Sequence, residues 1–382
     1  MLSNPPLKQT SQTTMSSTCI KFKNQDISHD SIEDILNYQL SSEGIKRIES
    51  FIFEASLKQN LRQIAPPSKA IFSFGWSVGF NKDETPAYWF RFQESDDDWN
   101  EADQALALKI SAFSPSDVSI HRITFNNSLN QYFSQSLTKS QWSAPTPVLQ
   151  MLHSLPLKLP QNSIKNTGED FFNEDRYEIA KKWMRKKKFE NEIKNISIHR
   201  RLINCVIVPT LGRQIVDLDA VVLSSENNLC CLEFKRKYPS EKIKVFGIDE
   251  YPHIKIINFL SNLSISMRHL ILVSPNWNKD TSPLSMLEDI VNHSRWRWLA
   301  ATLDPSSIGQ TKMKTFGTNS GHSGQPRTQY NIKWPSLYVL QEELRLGNTG
   351  IKKLLEFVEK GDTSALPPAT FKLLNDLRTS IQ

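Results

Sequence analysis

The sequence predicts an α/β protein whose core runs helix, three-strand meander, helix, strand, with an N-terminal α+β region before it and a C-terminal helical segment after it. Three observations carry this. Apolar residues recur at helical spacing through residues 174–197 and again through 251–264. Between them, short apolar runs at 205–208, 215–223 and 229–235 are separated by turn residues, which marks strands joined by short connections. A further apolar run, 269–273, stops at Ser274-Pro275, a breaker that ends a strand.

Length and composition bound the rest. A chain of 382 residues, at roughly 150 per domain, suggests two or three domains and at least one sizeable core. With 38% hydrophobic and 23% charged residues, collagen-like, low-complexity and wholly disordered classes are excluded. The net charge of +6 is too mild to name a partner, but residues 1–170 hold 15 basic and 18 acidic residues whereas 171–382 hold 31 and 22. An anionic partner is therefore expected on the second half. Cys19, Cys205, Cys230 and Cys231 form no CxxC and no Cys/His cluster, which points to a reduced, cytoplasmic compartment. Residues 1–17 carry one lysine and no apolar stretch, so they read as neither signal peptide nor anchor, and no run reaches the ~18 apolar residues of a membrane span.

Taken in order, residues 1–18 are expected to be a disordered tail and 19–165 an N-terminal α+β domain of unassigned role. Within it, residues 31–63 read as two helices, from Ile32, Ile35, Leu36, Ile45, Ile48, Phe51 and Ile52. Aromatic-rich runs at 71–80 and 87–92, parted by the turn residues 81–86, read as a hairpin. The acidic stretch 94–103 has the oxygen donors of a hard-cation site. The preference of helix starts for acidic residues explains it better.

From residue 166 to 305 the pattern sharpens into a second domain. Residues 174–197 carry Tyr177, Ala180, Trp183, Met184, Phe189, Ile193 and Ile196 on one stripe. Arg176, Lys181, Lys182, Arg185, Lys186, Lys187, Lys188 and Lys194 lie on the other, a face suited to phosphates and equally to solvent. Strand 205–208, turn 209–214, strand 215–223, turn 224–228 and strand 229–235 then form an antiparallel meander.

The chemistry sits on these strands. In residues 215–222, side-chain alternation sets Asp217 and Asp219 on one face; in 231–235 it sets Glu233 and Lys235 together with Cys231. Buried carboxylates need partners. Three carboxylates and an ammonium on adjacent strands are most economically explained by a divalent metal.

This pattern resembles the PD-(D/E)XK, or restriction-endonuclease-like, nuclease superfamily. The resemblance covers residues 174–275 and rests on Asp219, on Glu233-Phe-Lys235 fourteen residues later, and on the order of elements around them. It implies that Asp219 and Glu233 hold Mg²⁺, with Mn²⁺ as a substitute, and that Lys235 orients or activates the attacking water. Asp217 supports the metal from the same face. It also implies a Glu on the first helix, for which Glu190 fits best, with Glu192 and Glu178 as rivals. No proline precedes the Asp, which leaves the choice between Asp217 and Asp219 open; the apolar run after Asp219 favours Asp219. Lys186, Lys187, Lys188, Arg236 and Lys237 would meet nucleic acid, DNA ahead of RNA. The implied activity is Mg²⁺-dependent endonucleolytic cleavage, in settings such as restriction, phage defence or transposition.

Two other readings stand beside it. Asp217-Leu-Asp219 also has the form of a nucleotidyltransferase motif, but the stretch upstream lacks the Gly-Ser or Gly-Gly pair that grips a triphosphate. The other alternative is a nuclease-like module that binds nucleic acid without cutting it. The bland account is a half-exposed sheet carrying cross-strand ion pairs worth ~0.2–1 kcal/mol each.

After the core, residues 282–294 read as a helix and 295–302 as a strand with alternating Arg and Trp, the tryptophans covering a core edge. Residues 306–330, rich in Gly, Ser, Thr and Gln, read as a linker or loop. Residues 331–382 form the C-terminal helical segment, from Leu337, Leu340, Leu344, Ile351, Leu354, Leu355 and Val358. Helix-turn-helix reading of DNA is weighed there against core packing, which is preferred. A protein partner would meet the N-terminal or C-terminal region; no membrane partner is expected.

Overall fold

A computed structural model describes residues 45–64, 70–81, 83–95, 98–113, 118–126, 128–129, 131–155, 174–186, 189–211, 215–278, 281–316 and 326–379. Helix α1 (Ile45–Ile64) leads into β1 (Ile71–Ser73), β2 (Trp76–Phe80) and β3 (Pro86–Phe92). Helix α2 (Glu101–Phe113), β4 (Ser119–Asn126), β5 (Gln131–Thr138), β6 (Gln141–Trp142), β7 (Thr146–Pro147) and α3 (Val148–Ser154) follow. Next come α4 (Glu174–Met184) and α5 (Glu190–Leu202), the latter running through a π-helical stretch, Ile203–Ile207, into α6 (Val208–Leu211). Strands β8 (Ile215–Leu218), β9 (Ala220–Leu223), β10 (Leu229–Arg236) and β11 (Phe246–Asp249) precede a π-helical turn, Glu250–Ile254, and α7 (Lys255–Asn262). The chain closes with β12 (Ser266–Val273), α8 (Pro283–Glu288), a 3-10 turn at Ile290–Arg295, β13 (Arg297–Leu303), β14 (Met313–Phe316), β15 (Pro326–Ile332), β16 (Tyr338–Gln341), α9 (Asn348–Lys360) and α10 (Phe371–Asp376).

The result is a mixed α/β fold with three sheets. Among the described residues, a six-stranded sheet has the order β1-β9-β10-β12-β13-β16, a seven-stranded one β6-β5-β4-β3-β2-β8 with β7 also pairing β5, and a small one β11-β15-β14. In the first, β10 and β12 run parallel, which the intervening α7 crossover allows; the other pairs are antiparallel. Alternate residues of its strands face opposite layers. Ala220, Val222, Leu232 and Leu270 pack on Phe53, Leu57 and Leu61 of α1 and on Leu354, Phe357 and Val358 of α9. Val221, Cys231 and Ile271 pack on Leu106 of α2 and on Ile256, Ile257 and Leu260 of α7. The second stripe of α1, with Ile45, Ile48, Ile52 and Ala55, lies against Ala180 and Met184 of α4 and Ile193 and Ile196 of α5. Helix α1 is therefore apolar on two sides.

The two large sheets share a ribbon. Ile71 pairs with Leu223 and Ser73 with Val221 in one sheet, then Trp76 with Leu218 and Ser77 with Asp217 in the other, and the register is unbroken across the change. That continuity sets Gly75 opposite Asp219 at the bend. Gly75 has φ +89°, and a Cβ there would lie 2.8 Å from the Phe92 carbonyl oxygen, so the bend requires glycine.

Several expectations are corrected. Residues 205–208 are not a strand: Cys205, Val206 and Ile207 are buried against Phe90, Phe92, Val148 and Leu152 as the helical continuation of α5. A short apolar run does not distinguish a strand from a buried helix. The meander is thus a hairpin, β9–β10, completed by β1 from far upstream rather than by a preceding strand. Residues 215–223 form two strands instead of one, parted by the bend at Asp219. In residues 306–330, where a linker was expected, β14 pairs with β15 and β15 with β11. Leu337 and Leu340 belong not to a helix but to the β16 edge, which backbone bonds from Val339 and Ala369 tie to residues 367–369. Residues 31–44 lie outside the described residues; 45–64 form one helix. The 71–80 and 87–92 hairpin is present as β2–β3. Among the described residues no helix is long and apolar enough to cross a membrane.

Candidate active site

Asp219 stands at the bend, and β9–β10 pairing brings Glu233 beside it. The Asp219 Oδ2 accepts a 2.5 Å hydrogen bond from the Phe234 amide. Burial, reinforced by the neighbouring Glu233 charge, raises the Asp219 carboxyl well above the usual carboxylate range, against the pull of Lys235. Glu233 is also buried, but Lys235 forms an ion pair with its Oε1 and His253 Nε2 lies 3.3 Å from the same oxygen. Burial opposes its charge, and these two partners outweigh burial and hold the Glu233 carboxyl far below its ordinary value. Desolvation also opposes the Lys235 ammonium, yet Glu233 and Asp219 beside it raise its pKa. Lys235 remains 41% exposed, so its ammonium can reach a ligand as well as Glu233.

Asp217 lies on the other side of the bend. It accepts a hydrogen bond from Ser77 across the β2–β8 pair, and burial raises its pKa although Arg200 pulls it down. The helical carboxylate facing this group is Glu54 of α1. Its Oε1 is 2.6 Å from Lys58 Nζ and its Oε2 is 3.1 Å from Arg200 Nη2. Burial works against its charge, but Lys58 and Arg200 pull its pKa down to about 2. The fields of Glu54 and Lys58 both reach Asp217 and Asp219.

Asp219, Glu233 and Lys235 are thus brought together, with Asp217 adjoining. Glu190 is not among them: it sits exposed in the first turn of α5. Its rivals are engaged elsewhere, Glu192 with Arg62 and Glu178 with Lys181. Glu54 was not read from the sequence, and neither were Lys58, Arg200, His253 or His269. One signal was available. Glu54 and Lys58 are an i,i+4 pair within an otherwise apolar helix face, and such a pair is buried only where the fold has a use for it. His269 lies beside Glu233 in the parallel β10–β12 register, and burial lowers its pKa to about 3, so it is neutral there.

Of the residues expected to face phosphates, the structure describes Lys186, Arg236 and Lys237. Lys187 and Lys188 lie outside the described residues. Lys186 stacks over the Trp183 ring at 3.2 Å and stands 3.8 Å from Glu288. Arg176 is not on a solvated face: it is buried in an ion pair with Glu49, which also accepts from Ser282. Burial lowers Arg236 to about 10, and Lys237, which donates to the Gly247 carbonyl, to about 8. Arg297 binds the carbonyls of Ser294, Trp296 and Glu342.

Among the described residues no group of three or more His, Cys, Asp or Glu is arranged to hold a metal ion. Glu54 and Glu233 are turned onto cations, whereas Asp219 has a single backbone donor among the described residues. The chain matches no family model, no curated protein and no solved structure in the three comparisons made with it.

Proposed function

We propose that this protein is a Mg²⁺-dependent phosphodiesterase acting on nucleic acid, DNA ahead of RNA, built on a PD-(D/E)XK-like core. One observation carries the reading. The elements α1, β1, β9, β10, α7 and β12 follow the order helix, three antiparallel strands, helix, parallel strand, with Asp219 entering the second strand and Glu233 and Lys235 on the third. In this reading residues 74–218 are an insertion between the first and second core strands, and Glu54 takes the role expected of Glu190.

The donor types are those a hard divalent cation prefers, all oxygen and including a buried Asp219 whose pKa burial raises, although among the described residues they are not arranged as a metal-holding group. Asp219, Glu233 and Glu54 would hold the ion, with Asp217 in support. Bound there, Mg²⁺ would supply charge stabilisation at a phosphoryl oxygen and a lowered pKa for water. Lys235, half-exposed beside Glu233, would place a fixed positive charge against the phosphorane as it forms. Glu54, gripped by Lys58 and Arg200, would keep its carboxylate ionised and oriented.

A second reading has its own support. Each glutamate of the cluster already has a cationic partner and no metal group is preassembled among the described residues, as suits a nuclease-like module that binds nucleic acid without cutting. Cleavage by the purified chain on plasmid, linear duplex, single-stranded DNA and RNA, in Mg²⁺, Mn²⁺ and EDTA, separates the two. The nuclease reading predicts metal-dependent cutting lost in E233Q; binding without cutting under every condition supports the module. Transfer of labelled nucleotide to an acceptor would instead support a nucleotidyltransferase.

A further inference from the structure

Beyond Lys235 the chain runs into a surface where aromatic rings and lysines alternate. Tyr238 is three residues on, and three residues span at most ~11 Å, so this surface adjoins the proposed site. The Tyr238 ring lies parallel to that of Trp277 at 6.0 Å. Phe371, the first residue of α10, meets Trp277 edge-on at 5.8 Å and Trp334 at 6.5 Å, and Trp334 meets Phe246 at 5.7 Å. Trp277 and Phe246 are buried, whereas Tyr238, Trp334 and Phe371 are half-buried. Two core rings thus continue outward into three that remain partly exposed.

Cations lie over and between these rings. Lys244 Nζ is 5.5 Å from the Phe371 centroid, and the Lys244 carbonyl accepts from Trp334 Nε1 at 2.9 Å. Arg378 lies over Trp277 at 5.0 Å. Lys333 precedes Trp334, and Lys242 shares the turn of Lys244, with Ile243 exposed between them. The carboxylates of this region are engaged, Glu241 with Arg378, Asp376 with Lys372 and Asp249 with Arg327. Lys242, Lys244 and Lys333 have no carboxylate in ion-pair range among the described residues. Like charges gathered without counter-charges repel, and an anionic partner removes that cost. Rings interleaved with such cations suit a partner that offers flat faces and phosphates together. In a duplex each base is covered by its neighbours; an unpaired strand can turn its bases onto aromatic rings.

We propose that Tyr238, Trp334 and Phe371, with Lys242, Lys244 and Lys333, form a stacking platform for a single-stranded segment of nucleic acid. The inference rests on the nucleic-acid reading above and deepens it by naming the substrate class, a nucleic acid with an unpaired stretch beside the site.

The test is fluorescence anisotropy of a labelled oligo-dT and of a blunt duplex of the same length with the full chain, in EDTA so that binding is read apart from cutting. The wild type should bind oligo-dT at least tenfold more tightly than the duplex. Trp334→Ala should weaken oligo-dT binding about fivefold or more, the loss expected of one stacked base, whereas Trp334→Phe, which keeps a ring, should retain most of the affinity. Lys242→Glu and Lys333→Glu together should weaken binding and make its salt slope shallower by about 1.4. Duplex bound as tightly as oligo-dT, or oligo-dT affinity unchanged in a folded Trp334→Ala and in the double lysine variant, would overturn the inference and leave the nuclease reading in place. If Trp334→Ala does not fold, the wild-type preference and the two exposed lysines decide. Binding of neither probe at low salt would remove the nucleic-acid reading, and this inference with it.

Discussion

Two buried aspartates flank the same bent ribbon and are treated in opposite ways. Asp103, at the start of α2, is fully enclosed. Its Oδ1 accepts from Ser73, from Trp76 Nε1 at 2.7 Å and from Arg91 Nε at 2.8 Å, while its Oδ2 accepts from the Asn100 amide at 3.0 Å. Arg91 in turn binds the carbonyls of Phe92 and Asp98 and the Asp98 carboxylate. Asp219, across the bend, has one amide donor among the described residues and a pKa raised well above normal. Ser73 and Trp76, which satisfy Asp103, sit on either side of Gly75; Asp219 lies opposite that glycine. A carboxylate surrounded by donors holds a fold together. One left short of donors beside the same ribbon is where, in the proposed reading, an added charge would sit.

The contrast makes predictions that differ in kind. The largest effect belongs to Asp103→Ala, which leaves Arg91 buried without its main partner; stability should fall by about 3–5 kcal/mol. Urea unfolding measures this, and the folded fraction should still cut nucleic acid at the wild-type rate. A folded, stable variant that has lost cleavage would erase the distinction between the two aspartates.

A smaller loss, and one of rate, is expected of Lys235→Ala. Its ammonium is half-exposed but Glu233 is buried, so the variant leaves that carboxylate with His253 as its remaining ion-pair partner and loses some stability, and the rate is therefore read on the folded fraction. A charge that acts on the transition state should cost about 10²-fold in single-turnover cleavage with little change in nucleic-acid affinity. A variant that melts early and cuts normally when folded would make Lys235 structural, like Arg91.

How far the sequence reveals these roles follows from the range of the interactions. Asp219, Glu233 and Lys235 are legible because strand alternation and a fourteen-residue separation are local facts. The β9–β10 hairpin and the α7 crossover are local too, and they form where the pattern puts them. Glu54 is not legible in this way. It reaches the site only because β1 pairs with β9 across more than 140 residues, a distance no periodicity reports. The same long connection misleads the choice of first helix: α4 and α5 are amphipathic and adjacent in sequence, but they pack behind α1, and α5 also on the seven-stranded sheet, rather than on the six-stranded sheet that carries Glu233. Cys205 to Val208 mislead for a different reason, since four apolar residues fit a strand and a buried helix equally.

The most direct measurement of the central claim compares melting of the wild type and Asp219→Asn, with and without Mg²⁺, from acid to neutral pH. A carboxyl whose pKa is raised on folding favours the folded state at low pH, and that contribution disappears as pH rises through the folded value. Without metal, the wild type should therefore lose stability relative to the variant as pH approaches 7, where D219N should melt at or above the wild-type temperature. Mg²⁺ should raise the melting temperature of the wild type and leave D219N unmoved. A D219N protein that melts below the wild type without metal, or that Mg²⁺ stabilises to the same extent, would make Asp219 a structural group of the Asp103 kind.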